Sequence, residues 1–280
     1  MYYKIENEFL SCEIDDMGAQ LHSLKLKENG KEYIWQGNPD IWYGQAPVLF
    51  PIIGQLLDDK YRYNGKEYTM PKHGLARRFC FNVKECGGAK AVFSLESNDK
   101  TRENYPFDFE YLVAFELCGK SLVNTMTVVN KTDGEMYFSI GAHPAFNCKP
   151  GDVIEFEQPE TLATERIDKD SIIIDGKYPF INNSREFVIT KEIFEPDALI
   201  LSDIKSKKLR IKSDYEVEFT FGDCPFLGIW AKPGAPYVCI EPWYGVNDGR
   251  DVKADISEKR GIQHLNKGET FEFAWSAEVV

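Results

Sequence analysis

Long apolar runs are missing from this 280-residue chain, and none of its hydrophobic stretches could cross a bilayer as a helix. Runs rich in Lys or Arg are missing too: 33 basic residues face 45 acidic ones, a formal net charge of −12. That balance lacks the electrostatic footprint of a nucleic-acid binder and disfavours docking on anionic membranes. No Cys-x-x-Cys pair occurs among the seven cysteines, and their number is odd. A disulfide framework is therefore not expected. The thiols read as small, mostly buried residues of a reduced, cytoplasmic protein. The segment Met1-Tyr2-Tyr3-Lys4-Ile5-Glu6 has neither the basic region nor the apolar region of a secretory leader, so none is expected. Histidine is scarce at four residues, no two of them at metal-ligand spacing, so no metal is expected. With no Gly-rich phosphate loop and no βαβ rhythm, no nucleotide cofactor is expected either.

What the chain has in quantity is strand signal. Residues 2–5, 9–14, 20–26, 91–96, 110–117, 121–130, 136–140, 152–156, 185–190, 199–202, 208–212, 217–221, 237–240 and 271–278 read as short strands. Imperfect alternation at Leu21, Leu24 and Leu26 suggests a bulge near there. Val123, Thr125, Thr127 and Val129 share one face of a period-2 strand and show the expected β-branched enrichment. Asn64-Gly65, flanked by Tyr61, Tyr63 and Tyr68, predicts a hairpin. Helix candidates are few: residues 98–105, ending before Pro106, and a single turn at 191–194. No linker or repeat marks a boundary. The expectation is one domain, residues 1–280, all-β, with large antiparallel sheets packed on each other.

Three segments concentrate the chemistry. In Gly141-Ala142-His143-Pro144-Ala145-Phe146 the proline fixes the backbone beside an imidazole, which suits a strand end presenting an acid or base, or equally a core histidine bound to a carbonyl. In Ile240-Glu241-Pro242-Trp243-Tyr244-Gly245 a carboxylate ends an apolar strand. Buried beside Trp243 it would become a better base near neutral pH; facing solvent it would be ordinary. In Lys72-His73-Gly74-Leu75-Ala76-Arg77-Arg78 an imidazole joins a local basic spot on an acidic protein, fit to hold an anion or simply a solvated loop. Trp243, Tyr244 and Phe146 are candidate aromatic walls. His22 and His264 have no evident partner and read as structural. Cys239 stands two residues before Glu241.

Taken in order, these segments resemble the aldose 1-epimerase (galactose mutarotase-like) family. Ala46-Pro47-Val48-Leu49-Phe50-Pro51-Ile52-Ile53-Gly54 is similar to its Pro-x-x-Phe-Pro-x-x-Gly segment. His73-Gly74-Leu75-Ala76-Arg77 is similar to its His-Gly-Phe-Ala-Arg segment, and Tyr105-Pro106-Phe107-Asp108-Phe109 to its Tyr-Pro-Phe-x-Phe segment. The His143 and Glu241 segments follow in the family's order. The resemblance implies a β-supersandwich and a cofactor-free sugar mutarotase, monomeric or homodimeric, with a small-molecule sugar as its partner. By residue, it implies Glu241 as the base at the C1 hydroxyl and His143 as the acid at the ring oxygen. His73, Arg77, Asp197 and Trp243 would be substrate-binding. Gln55 stands where many relatives carry an arginine, so it too is expected at the sugar, and it bears on the choice between a free and a phosphorylated hexose. Ala145 in place of an aromatic residue would widen the pocket. Alternatives consistent with the resemblance are a hexose-6-phosphate 1-epimerase and a sugar-binding protein of the same fold without turnover.

Overall fold

The hydrophobic alternation read from the sequence becomes antiparallel sheet through nearly the whole chain. The computed structural model describes all residues, Met1–Val280. The strands Phe109–Cys118 and Ser121–Asn130 pair along their full length, and every second residue of each points into the core. Tyr111 lies opposite Val128 and Val113 opposite Met126, all four buried. The β-branched face at Val123, Thr125, Thr127 and Val129 is the half-buried outer one. These strands belong to a fifteen-stranded sheet. A second sheet, of four strands, starts the chain: Tyr2–Glu6, Leu10–Asp15, Gln20–Leu26 and Lys31–Glu32. Apolar side chains of both sheets merge into one core of 66 buried residues running from Ile5 to Val279, the packing of a large β-sandwich.

Local signals land where the sequence places them. Lys60–Tyr63 and Lys66–Thr69 form the hairpin, with Asn64 and Gly65 both at positive φ as a two-residue primed turn requires. The one α-helix, Asp99–Asn104, is capped by Asn98 in a reciprocal capping box and stops before Pro106. The single turn near 191–194 is a 3₁₀ turn, Glu192–Phe194. The register shifts opposite Glu13 and Ile14, which pair with Ser23 and Leu21 and leave His22 as the extra, bulged residue. One large element exceeds the expectation: Val153–Ile167 and Ile173–Val188 form a long ribbon with several register shifts, where only its ends, at 152–156 and 185–190, read as strand. All seven cysteines are free, and no helix is long and apolar enough to cross a membrane.

Candidate active site

A strand break places the two proton-transferring groups face to face. Tyr237–Tyr244 is buried along almost all of its length. On one side it pairs with two short strands, Ile140–Ala142 and Ala145–Asn147, separated by His143-Pro144. The register that sets Gly141 against Trp243 and Ala145 against Cys239 sets His143 opposite Glu241. Pro144 cannot donate to the ladder, so pairing lapses there and His143 turns toward its partner. Close approach is possible because residue 141 is glycine: a Cβ there would come within 2.8 Å of the Pro242 carbonyl oxygen.

His143 Nε2 and Glu241 Oε2 are 3.2 Å apart, with both side chains nearly inaccessible. They are not aligned as a hydrogen bond: Glu241 Oε2 and His143 Nδ1 have no well-aligned partner, and the Trp243 indole N–H is near enough only to temper the effect of burial on the Glu241 carboxyl. Buried polar atoms left unpaired are costly, and here two of them belong to the pair on the cavity wall, where a ligand could satisfy them. Burial drives the Glu241 carboxyl well above its usual range, opposed by the charge of Lys72 and reinforced by that of Asp197. Burial also pushes the His143 imidazole down to about 3, helped by the charges of Arg77 and Lys72.

The pair lies in a cavity of about 230 Å³. His73 faces it from a loop where φ is positive at both His73 and Gly74. Gly74 is irreplaceable in that loop, since a Cβ would meet the Phe50 carbonyl at 2.2 Å. The Gly54 N–H donates to His73 Nδ1 at 3.1 Å, so the ring's own proton sits on Nε2. Burial first, then the nearby His143, Lys72 and Arg77, hold that ring's pKa well below the usual histidine range. His73 is therefore a neutral donor, and its ring meets that of His143 edge to face at 5.7 Å.

Arg77, half-buried, donates to the Lys72 carbonyl at 2.8 Å; Lys72 Nζ donates to Ser171 Oγ at 2.8 Å. Neither cation has a carboxylate within salt-bridge distance, and both line the cavity. Asp197 is exposed at the rim, where one oxygen accepts from the Ala198 N–H at 2.7 Å. Asn247 closes another side. Its neighbour Asp248 is clamped by the buried Lys259 through two hydrogen bonds of 2.9 and 2.7 Å and accepts the Leu57 N–H at 2.9 Å.

The structure thus gathers His143, Glu241, His73, Arg77, Asp197 and Trp243 around one cavity. Gln55 does not join them. Its amide turns the other way, donating to the Leu56 carbonyl and Asp59, beside Arg250 on another part of the surface. The positive charge that Gln55 lacks is supplied at the cavity by Lys72 and Arg77. Phe146 and Tyr244 are not walls: Phe146 is wholly buried, and Tyr244 packs on Phe271 and Phe273. Ala145 is also buried in the core and widens nothing. Trp243 contributes an edge from a small apolar cluster. The main aromatic wall is one the sequence did not single out. Trp42 stacks on His143 with ring centroids 5.3 Å apart and meets Trp230 edge to face at 5.4 Å. His22 bonds Gln45, and His264 sits by Glu135 and Tyr137, both away from the cavity. The donor atoms of His143, Glu241 and Cys239 all lie within 4.8 Å of one another, the one grouping able to chelate a metal ion.

Comparison with known proteins bears on the family and the fold. The family model described as aldose 1-epimerase matches residues 1–195, which include His73 and His143. Protein LacX (plasmid) of Lactococcus lactis subsp. lactis is 33% identical, over 92% of this chain and 93% of its own length. The galactose mutarotase related enzyme of Lactobacillus acidophilus superimposes with a TM-score of 0.94 at 35% identity, covering 100% of this chain and 97% of that one. A galactose mutarotase-like protein of Lactobacillus casei gives 0.95 at 27% identity, with both chains covered in full.

Proposed function

The chain belongs to the aldose 1-epimerase family and is an isomerase-type enzyme, and from that premise we propose that it interconverts the α and β anomers of an unphosphorylated aldohexose. The observation that carries this reading is the His143–Glu241 pair, 3.2 Å apart on the cavity wall, with no well-aligned partner for Glu241 Oε2 or His143 Nδ1. Burial disfavours charge on either group, so the resting pair holds its single proton on Glu241. A sugar hydroxyl bound between the two groups relays that proton to His143, and its hydrogen bonds offset the cost of the carboxylate and imidazolium that ring opening uses. Glu241 then takes the proton of the C1 hydroxyl while His143 gives its proton to the ring oxygen. The bond from C1 to the ring oxygen breaks and the carbonyl forms. C1 turns about its bond to C2, the ring hydroxyl adds to the other face, and both protons return. His73 Nε2–H, Arg77 and Asp197 hold the sugar hydroxyls, and Trp42 and Trp230 flank the ring's apolar face.

The test is the relaxation of optical rotation of fresh α-glucose and α-galactose. The wild type accelerates it. Glu241→Gln lowers kcat by about 10²–10⁴-fold, the range of a lost general base, with sugar binding retained. A variant as fast as the wild type would remove Glu241 from the mechanism.

A second reading, a hexose-6-phosphate 1-epimerase, is favoured by one observation: Lys72 and Arg77 face the cavity with no carboxylate partner. Competition between glucose and glucose 6-phosphate separates the two. Under the free-hexose reading glucose has the higher kcat/KM, and Arg77→Ala weakens both sugars alike. Under the phosphate reading Arg77→Ala weakens the phosphate alone. Seven unpaired thiols fit a cytoplasmic setting for either substrate.

A further inference from the structure

We propose that His143, Cys239 and Glu241 form a three-ligand site for Zn²⁺, filled in competition with sugar. The competition rests on the sugar pocket proposed above; the zinc site itself does not. Cys239 and Glu241 are two residues apart on one strand, so their side chains share a face, and His143 enters from the break opposite. The result is one nitrogen, one sulfur and one oxygen donor, all buried, all within 4.8 Å of one another. Zinc takes these donor types at bonds of about 2.0–2.3 Å, and a tetrahedral site with such bonds separates its N and O ligands by about 3.3 Å. The observed His143–Glu241 separation is 3.2 Å, without hydrogen-bond alignment. Glu241 Oε2, on a side chain 2% exposed, has no hydrogen bond to give up on binding a metal. With three protein ligands, the fourth position would face the cavity, where the proposed reaction puts the C1 hydroxyl. Cys239 binds as the thiolate and Glu241 as the carboxylate, the protons of both passing to bulk buffer. Lys72 and Arg77 share the cavity and oppose a cation, so the site is weaker than a closed structural zinc site and acts as a brake rather than a fixture.

The experiment is calorimetric titration of Zn²⁺ into reduced, chelator-treated protein. Because Cys80, Cys86 and Cys118 are exposed thiols, the reference chain carries Ser at all three. The expected result is one zinc per chain, weakened by Cys239→Ala by at least the roughly 10–100-fold that loss of even an outer-shell partner costs. Saturating galactose weakens zinc binding, and the Cys239→Ala variant keeps its turnover while losing inhibition by zinc. Unchanged zinc affinity in Cys239→Ala overturns the site, and zinc binding indifferent to galactose overturns the competition. If Cys239→Ala does not fold, Co²⁺ added to the reference chain must show thiolate-to-cobalt charge-transfer absorption, and its absence overturns the proposal. Galactose titrated alone reads the sugar pocket separately, so a failure there leaves the zinc result standing.

Discussion

At the residue scale, what distinguishes this site is how little water reaches its charges. His143 is neutral in the fold because burial and two cations oppose its protonation, and this has a signature in stability. In the unfolded chain the imidazole binds a proton as pH falls through about 6.5; in the fold it resists until about 3. Falling pH therefore favours unfolding across that window. Urea denaturation between pH 7 and 4 should show the wild type losing more stability than His143→Asn; parallel losses would mean that His143 is not held neutral by burial. Trp42 acts on the same ring. Its stack orients His143, so Trp42→Ala should lower kcat/KM several-fold, in line with the about 0.5–1.5 kcal/mol of an aromatic pair, and Trp42→Phe should recover most of it. Steady-state kinetics on the three proteins reads the difference. Trp42 had no local signal, because it stands in an irregular stretch and reaches the site only through folding. The inward turn of Lys72 and the outward turn of Gln55 are equally invisible in sequence, since neighbouring loop positions carry no alternation to say which way each points.

At the element scale, local chemistry was legible wherever a short segment decides its own conformation. The Asn64-Gly65 hairpin, the helix stopped before Pro106 and the His143-Pro144 break are all set by a few adjacent residues. The long ribbon was not, because Ile173–Val188 is mostly exposed or half-buried and shows no apolar alternation, and its register slips repeatedly. One non-local clamp holds the loop that carries Asn247: the ion pair of Asp248 with Lys259, whose side chains are 3% and 6% exposed. Removing one partner strands a buried charge. Lys259→Met should cost about 3–5 kcal/mol in chemical denaturation, whereas the double change Lys259→Met with Asp248→Leu should recover much of that loss. Equal stability of the single variant and the wild type would show that the clamp bears no load.

At the scale of the whole molecule, the all-β class and the sheet-on-sheet architecture followed from the density of strand signals, while strand order and partners did not. Tyr237–Tyr244 pairs with strands beginning about a hundred residues earlier in the chain, a distance over which sequence pattern is silent. Yet that pairing assembles the site, since it brings two separated motifs to one register. It also brings two cations to the site of an acidic protein of net charge −12: Lys72 and Arg77 line the cavity beside Asp197 and Glu241. The most direct measurement is a crystal structure of Glu241→Gln with galactose bound. The sugar should lie with its C1 hydroxyl on residue 241 and its ring oxygen on His143, each within about 3 Å. A sugar bound with C1 turned away from both residues, or bound outside this cavity, would contradict the account.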